Sequence, residues 1–253
     1  MAENRLKVLT YNIHKGFSPG NRRFVLHQIR AALLTVDADV LCLQEMQGEH
    51  QGNERHIINW PDCMQFEFLA KGVWTHYAYA QNVTYPGKNA GHHGNAILSK
   101  FPLISWENIN VSPYRRASRS LLHGIVQLPG REAQLHIICI HFGLLGGERK
   151  RQIAKLCSRI DSHVPHDAPL IVAGDFNDWG GVAERHFYQH LELQEAYYNV
   201  HGHRARTFPA WLPVLAMDRI YYRGLMPVAC ERLVQAPWPH LSDHAPLMAT
   251  FQL

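Results

Sequence analysis

Six short apolar runs along the chain each meet polar side chains at one end. "LKVLTYNIH" is mostly apolar until Asn12 and His14, and "ADVLCLQE" until Gln44 and Glu45. "AQLHIICIHFG" closes on His141, and "PLIVAGDFN" on Asp175 and Asn177. "LAMDRIYY" places Asp218 at the head of its strand, and Ser242, Asp243 and His244 stand just before the final run "APLMATFQL". Runs this short and this apolar predict strands covered on both faces. Between them, residues 22–36 set Phe24, Ile29, Leu33 and Val36 at helical spacing. Residues 148–163 do the same with Ile153, Leu156, Cys157 and Ile160, leaving basic residues on the other face. "NAILSKFPLISWENI" and "SRSLLHGIVQL" predict antiparallel strands joined by turns.

The length of 253 residues and the 46% hydrophobic content suffice for one sizeable core, so a single domain over 1–253 is expected. A net charge of +4 suits an anionic substrate but is too small to indicate a nucleic-acid scaffold. The five cysteines are odd in number and form no C-x-x-C pair; Cys42 and Cys139 lie inside apolar runs. A reducing compartment fits that usage. The N-terminus runs straight into a strand without a signal segment, and no apolar run approaches ~18 residues. A soluble cytoplasmic protein without an integral membrane segment is expected. The 18 histidines are scattered, which argues against a metal-storage tract.

Polar side chains where a buried strand stops are costly unless they are wet, paired or functional. In α/β proteins such strand ends can converge on one crevice, where ligands bind. The set here combines carboxylates, amides and histidines, with no Ser or Cys nucleophile motif and no Gly-rich phosphate loop. Hard oxygen ligands beside general-base groups point to divalent-metal phosphoryl transfer. Plainer readings stand beside these. Asp218 could pair with the adjacent Arg219, and His141 could bond to backbone. Arg119 suits a phosphate clamp, while Arg115 and Arg116 could equally form a solvated basic loop. "GHHGNAILS" reads as a loop whose His92 and His93 are too few for a closed zinc site, with Asn95 the better substrate-side candidate. "PAWLPVLAM" is read as a proline-rich connection rather than a pocket for an alcohol leaving group.

Seven blocks together resemble the endonuclease/exonuclease/phosphatase superfamily: "TYNIH", "LCLQE", "GNAILSK", "CIHFGL", "VAGDFND", "MDRIYY" and "LSDHAPL". They cover essentially the whole chain in the family's order and spacing. "NIHKGF", "FEFLA", "GHHGNA" and "ARTFP" further resemble the short bacterial proteins of the YbhP type. The resemblance implies a DNase I-like α/β fold: a four-layer sandwich of two packed mixed β-sheets with helices outside. It implies Mg2+, with Mn2+ as a substitute, held by Glu45 and Asn12 with Asp243 as a second metal-side carboxylate. Asp175 would be the base, and Asn177 would hold the nucleophile or a phosphate oxygen. His244, partnered by Asp218, would act on the scissile phosphate, with His141 donating to a phosphate oxygen. Asn95 and Arg119 would bind substrate. One departure is His14, which stands where the nuclease branch commonly has aspartate.

The implied activity is in-line hydrolysis of a phosphodiester or phosphomonoester by a monomer. The substrate class stays open between nucleic acid and lipid or inositol phosphate. Duplex-contacting loops are sought in "SPGNRRF", "SPYRRASR" and "WPHLSDH", and an apolar lip for lipid in the loop of Trp60, Pro61 and Met64. An inactive binding module is the alternative, but the core positions other than that of His14 are intact. Asp175 is expected to be solvated and to add little to folding.

Overall fold

The computed structural model describes residues 5–87, 90–112 and 118–253. In the first half, the elements are β1 (Arg5–Asn12), α1 (Leu26–Val36), β2 (Val40–His50), α2 (Gln51–His56), α3 (Gln65–Ala70), β3 (His76–Tyr85), β4 (Gly91–Ser99), β5 (Leu103–Asn110) and β6 (Ser120–Val126). The second half adds β7 (Leu135–His141), α4 (Gly146–His163), β8 (Leu170–Asp175), α5 (Val182–Leu191), β9 (Gln194–Glu195), α6 (Ala196–His201), β10 (Asp218–Arg223), β11 (Met226–Arg232) and β12 (Leu247–Gln252). Among the described residues, no helix is long and apolar enough to cross a membrane.

The strands form two six-stranded sheets, ordered β11-β12-β1-β2-β4-β3 and β5-β6-β7-β8-β10-β9. Both are mixed. β1 lies parallel to β2, and β7 parallel to β8. Parallel neighbours need a crossover connection, which α1 and α4 supply. The inner faces meet in one core, where Val8, Cys42 and Ile97 join Leu122, Ile137 and Ile171. α1 and α3 cover the outside of the first sheet through Leu26, Ile29, Leu33 and Leu69. α4 and α5 cover the second through Ile153, Leu156, Ile160 and Phe187. This is the four-layer α/β sandwich. Burial explains the uniform apolar runs: every residue of β7 and β8 is buried, whereas most of edge strand β5 is exposed.

Two expectations change and one is refined. The helix expected from residue 22 begins at Leu26, because Phe24 pairs with Phe17 and the Val25 N–H donates to the Gly16 carbonyl. The antiparallel strands expected in "NAILSKFPLISWENI" form, but its two halves do not pair with each other. Its first half, β4, lies between β2 and β3, while β5 crosses to the other sheet and pairs with β6. "GHHGNAILS" is strand rather than loop, since Gly91–Ser99 bonds to β2 on one side and β3 on the other.

The topology explains why the polar strand ends meet. Asn12, Glu45, His141 and Asp175 lie at or near the ends of the two parallel pairs, where such sheets open a crevice. Asp218 lies opposite Asp175 in the β8–β10 ladder.

Candidate active site

Local backbone features aim the site's side chains. Gly174, at φ 152°, lets β8 approach β7 just before Asp175; a Cβ there would lie 2.0 Å from the Ile140 carbonyl oxygen. At Glu45 the backbone turns left-handed (φ 53°), and the β2–β4 register shifts between Leu43 and Met46. Such a bulge re-aims side chains beside a site. Gln44 turns into the core, donating to Thr10 Oγ1 at 3.2 Å and the Cys42 carbonyl at 2.9 Å. The final loop is tied to β1, because Ser242 Oγ donates to the Asn12 carbonyl at 2.7 Å and accepts from the His244 N–H at 3.2 Å.

One group of residues is locked together. His244 Nδ1 lies 2.8 Å from Asp218 Oδ2, which also accepts from Thr207 Oγ1 at 2.6 Å. His244 Nε2 stands 3.8 Å from Asp175 Oδ2, and His141 Nε2 stands 3.4 Å from the same oxygen. Asn12 Nδ2 donates to that oxygen at 3.3 Å, joining the two sheets through one carboxylate. The Asn177 N–H donates to Asp175 Oδ1 at 3.0 Å, while its side-chain amide donates to the Phe142 carbonyl at 2.9 Å. Asp175 is therefore buried and bonded, which corrects the expectation of a solvated carboxylate. The pairing of Asp218 with Arg219 does not occur: Arg219 bonds instead to Tyr221 and the Asp178 carbonyl.

These contacts set opposite charge states for the two histidines. Burial alone would lower the pKa of His244, but Asp218 and Asp175 outweigh it and push it up to about 10. For His141 burial wins, and its pKa falls to about 4 despite the pull of Asp175. Burial raises the pKa of Asp175, against the lowering effect of His244 and His141. At neutral pH the group thus holds a cationic donor, a neutral imidazole and an unusually basic carboxylate. Asp175, Asp218 and His244 offer ligand atoms within 4.8 Å of one another, a spacing that can suit a metal ion. However, His244 spends Nδ1 on Asp218 and is protonated, and an imidazolium does not ligate a metal.

The other side of the cleft is less tightly bonded. Lys15 Nζ stands 2.8 Å from Glu45 Oε2, an oxygen that is buried and lacks a well-aligned hydrogen bond among the described residues. Burial works to raise the pKa of Glu45, but His141, Lys15 and His93 together hold it well below the usual carboxylate range. Asp243 is partly exposed, accepts from Ser242 Oγ at 3.3 Å, and faces His14 Nδ1 at 3.7 Å. The departure at His14 thus places an imidazole, not a second acid, against Asp243.

The remaining sequence candidates lie around this centre. Asn95 is fully buried, donates to the Ser120 carbonyl at 3.1 Å and leaves its Oδ1 without a partner among the described residues. Arg119 is half-buried, and its charge lowers the pKa of both His141 and His93. Arg115 and Arg116 lie outside the described residues. His92 and His93 pair with the hydroxyls of Tyr79 and Tyr85 respectively. Trp60 is half-buried and stacks on Phe24 at 4.9 Å. Thr207 and Lys15 were missed. Both lie in family-like blocks ("ARTFP", "NIHKGF"), but neither stands at a strand end, so the strand-end pattern does not mark them.

A sequence profile of the Endonuclease/Exonuclease/phosphatase family matches residues 9–244, a span that encloses every side chain of this cleft. "Uncharacterized protein YbhP" of Escherichia coli strain K12 is 43% identical over 247 residues, covering 98% of this chain and 96% of its own. Among solved structures, an endonuclease/exonuclease/phosphatase from Beutenbergia cavernae superposes with a TM-score of 0.77 at 19% identity, covering 98% of this chain and 72% of that one. The human Nocturnin catalytic domain, solved with a bound sulfate anion, gives 0.75 at 20% identity, covering 98% and 93% respectively. Strand-end chemistry, four-layer architecture and near-complete coverage agree: the chain belongs to the endonuclease/exonuclease/phosphatase family.

Proposed function

We propose that the protein is a divalent-metal-dependent phosphoesterase that hydrolyses a phosphate ester by in-line attack of water. The observation that carries this reading is His244, held as a cation by Asp218 and standing 3.8 Å from the Asp175 carboxylate. A phosphodiester needs its anionic oxygens neutralised and a water aligned and deprotonated. Asp175, made more basic by burial, accepts the proton of the attacking water. His244 donates from Nε2 to a phosphate oxygen as charge develops, and neutral His141 donates to another. Asn177, whose amide is anchored to the Phe142 carbonyl, fixes the water or a phosphate oxygen. For a diester, the P–O bond to the leaving group breaks, and the departing alkoxide takes a proton from solvent, giving a phosphomonoester and an alcohol.

Glu45, with Asn12 and Asp243, would hold the metal ion. The fit is chemical. Glu45 presents a buried, ionised oxygen without an aligned hydrogen bond, and a cation, the Lys15 ammonium, already stands 2.8 Å from it. A sparse oxygen shell suits Mg2+, which keeps several waters, and Mn2+ shares the preference for oxygen. When bound, the ion neutralises charge on the phosphate oxygens. Asn95 and Arg119 are assigned to substrate binding, Arg119 through its charge. The substrate is a nucleic-acid, lipid or inositol phosphate ester.

The test is a hydrolysis screen with bis(p-nitrophenyl) phosphate, oligonucleotides, phospholipids and inositol phosphates, each with Mg2+, Mn2+ or chelator. Turnover is expected with metal, and loss is expected in chelator and in the Asp175→Asn and His244→Ala variants. Metal-independent turnover, or full activity in both variants, would contradict the reading.

A further inference from the structure

Six large apolar side chains, each 48–67% exposed, crowd the loops that leave the cleft: Leu144, Leu145, Trp179, Trp211, Leu212 and Val214. Their placement follows the site. Leu144 lies three residues beyond His141, and Trp179 two beyond Asn177. The loop of Trp211 is attached at its base, where the Ala210 N–H donates to the Asp243 carbonyl at 2.7 Å and Phe208 packs on His244 at 4.9 Å. Arg149 ties the first two loops together, donating to the Leu144 carbonyl and laying its guanidinium 5.2 Å from the centre of the Trp179 ring. Trp179 and Val214 in turn line a separate groove of about 890 Å³, which Arg204, Arg206 and Arg232 also line. Arg204 is paired with Glu184. The rim is therefore an apolar surface interleaved with guanidinium groups.

Clustered exposure of this kind marks an interaction surface, since isolated apolar residues need no explanation but a contiguous group does. We propose that this rim docks the cleft onto an anionic phospholipid surface. Four of the six side chains are aliphatic, and aliphatic groups insert among acyl chains but give nucleic-acid bases no π-face to stack on. The two tryptophans suit the headgroup boundary, where indole rings concentrate. Arg149, Arg206 and Arg232 complement anionic headgroups at the same level. Docking in this orientation sets headgroup phosphates at the mouth of the cleft. Docking itself requires no catalysis; the headgroup as substrate rests on the phosphoesterase reading above.

The test is flotation of the full chain, in chelator, with vesicles of mixed phosphatidylglycerol and phosphatidylcholine or of phosphatidylcholine alone. The protein is expected to float with the mixed vesicles, to bind the neutral ones far less and to release in high salt. Brominated acyl chains are expected to quench tryptophan fluorescence, a readout that needs no variant. The Leu144→Ser/Leu145→Ser and Trp211→Ser/Leu212→Ser variants should each lose ~10-fold or more in vesicle affinity, while their melting temperature and turnover of bis(p-nitrophenyl) phosphate stay at the wild-type level. Failure to float, or variants that float as well as wild type, would overturn the proposal. So would rim-dependent binding to oligo(dT) without vesicle binding, which identifies a nucleic-acid platform, or a dimer dispersed by the same substitutions. Rim-dependent flotation by a protein that hydrolyses none of the screened phosphate esters would sink the catalytic reading and leave the docking intact.

Discussion

Histidine is buried in two places around the second sheet, with opposite results. At the cleft, His244 meets Asp218 and Asp175 and is pushed up to about 10. Within the β6–β7 ladder, His123 Nε2 lies 3.0 Å from His136 Nδ1, and Arg159 Nε donates to His123 Nδ1 at 3.1 Å. Burial and the Arg159 charge push His123 down to about 3. Since Nδ1 accepts from Arg159, the single proton of His123 sits on Nε2 and is donated to His136. Burial alone would hold both imidazoles neutral. At His244 two facing carboxylates outweigh it, whereas at His123 the Arg159 guanidinium adds to it and leaves a neutral structural link.

Catalysis at the first place and structure at the second can be tested by substitution. The largest expected effect is that of Asp175→Asn: kcat falls by ~10² or more, with KM little changed. The buried carboxylate accepts hydrogen bonds from Asn12 and the Asn177 N–H, and an amide keeps one acceptor, so stability should shift by only about 1 kcal/mol. Near-wild-type turnover would remove Asp175 from the mechanism. Asp218→Asn and His244→Ala are each expected to cost ~10² in kcat, and the double variant little more, because they act as one unit. Additive losses in that cycle would show the two to be independent.

The metal side gives a smaller effect. Lys15→Met frees Glu45 from an internal competitor, so calorimetry should show Mg2+ binding several-fold tighter, in proportion to the fraction of competent sites gained. Unchanged affinity would mean that the Lys15–Glu45 pair does not oppose the ion. Smallest of all on activity is His123→Gln, which should leave turnover within about 2-fold while lowering stability by ~1 kcal/mol through the broken link to Arg159 and His136. A large loss of kcat there would erase the contrast between the two places.

Much of this arrangement was legible in the chain. Asn12, His141, Asp175, Asn177, Asp218 and His244 were marked by one physical rule, polar groups where buried strands start or stop; the two parallel pairs and the antiparallel β8–β10 ladder bring those ends to one edge. What escaped was non-local. Periodicity reads the same in either sheet, so nothing in "NAILSKFPL" signals that the chain changes sheets after Ser99. Thr207 acts through a hydrogen bond to a residue eleven positions away, and Lys15 reaches Glu45 from a turn; neither contact leaves a local pattern. Asp175 was expected to be wet because strand ends usually are, whereas the opposing sheet covers it with Asn12. The exposed apolar loops after His141 and Asn177 escaped notice because exposure depends on what a loop packs against, which periodicity does not record.

The central claim is that Asp218 and Asp175 keep His244 charged. Its raised pKa has a consequence for folding. The ion pair's contribution to stability is fully present below the unfolded-state value of ~6.5 and is lost as pH rises through about 10. The most direct test is imidazole NMR of the metal-free protein over a pH titration, with His244 assigned by its absence in His244→Gln. His244 is expected to stay protonated through neutrality and to titrate near pH 10, while His141 remains neutral down to about 4. A His244 midpoint near 6.5, the value of an unpaired histidine, would contradict the account.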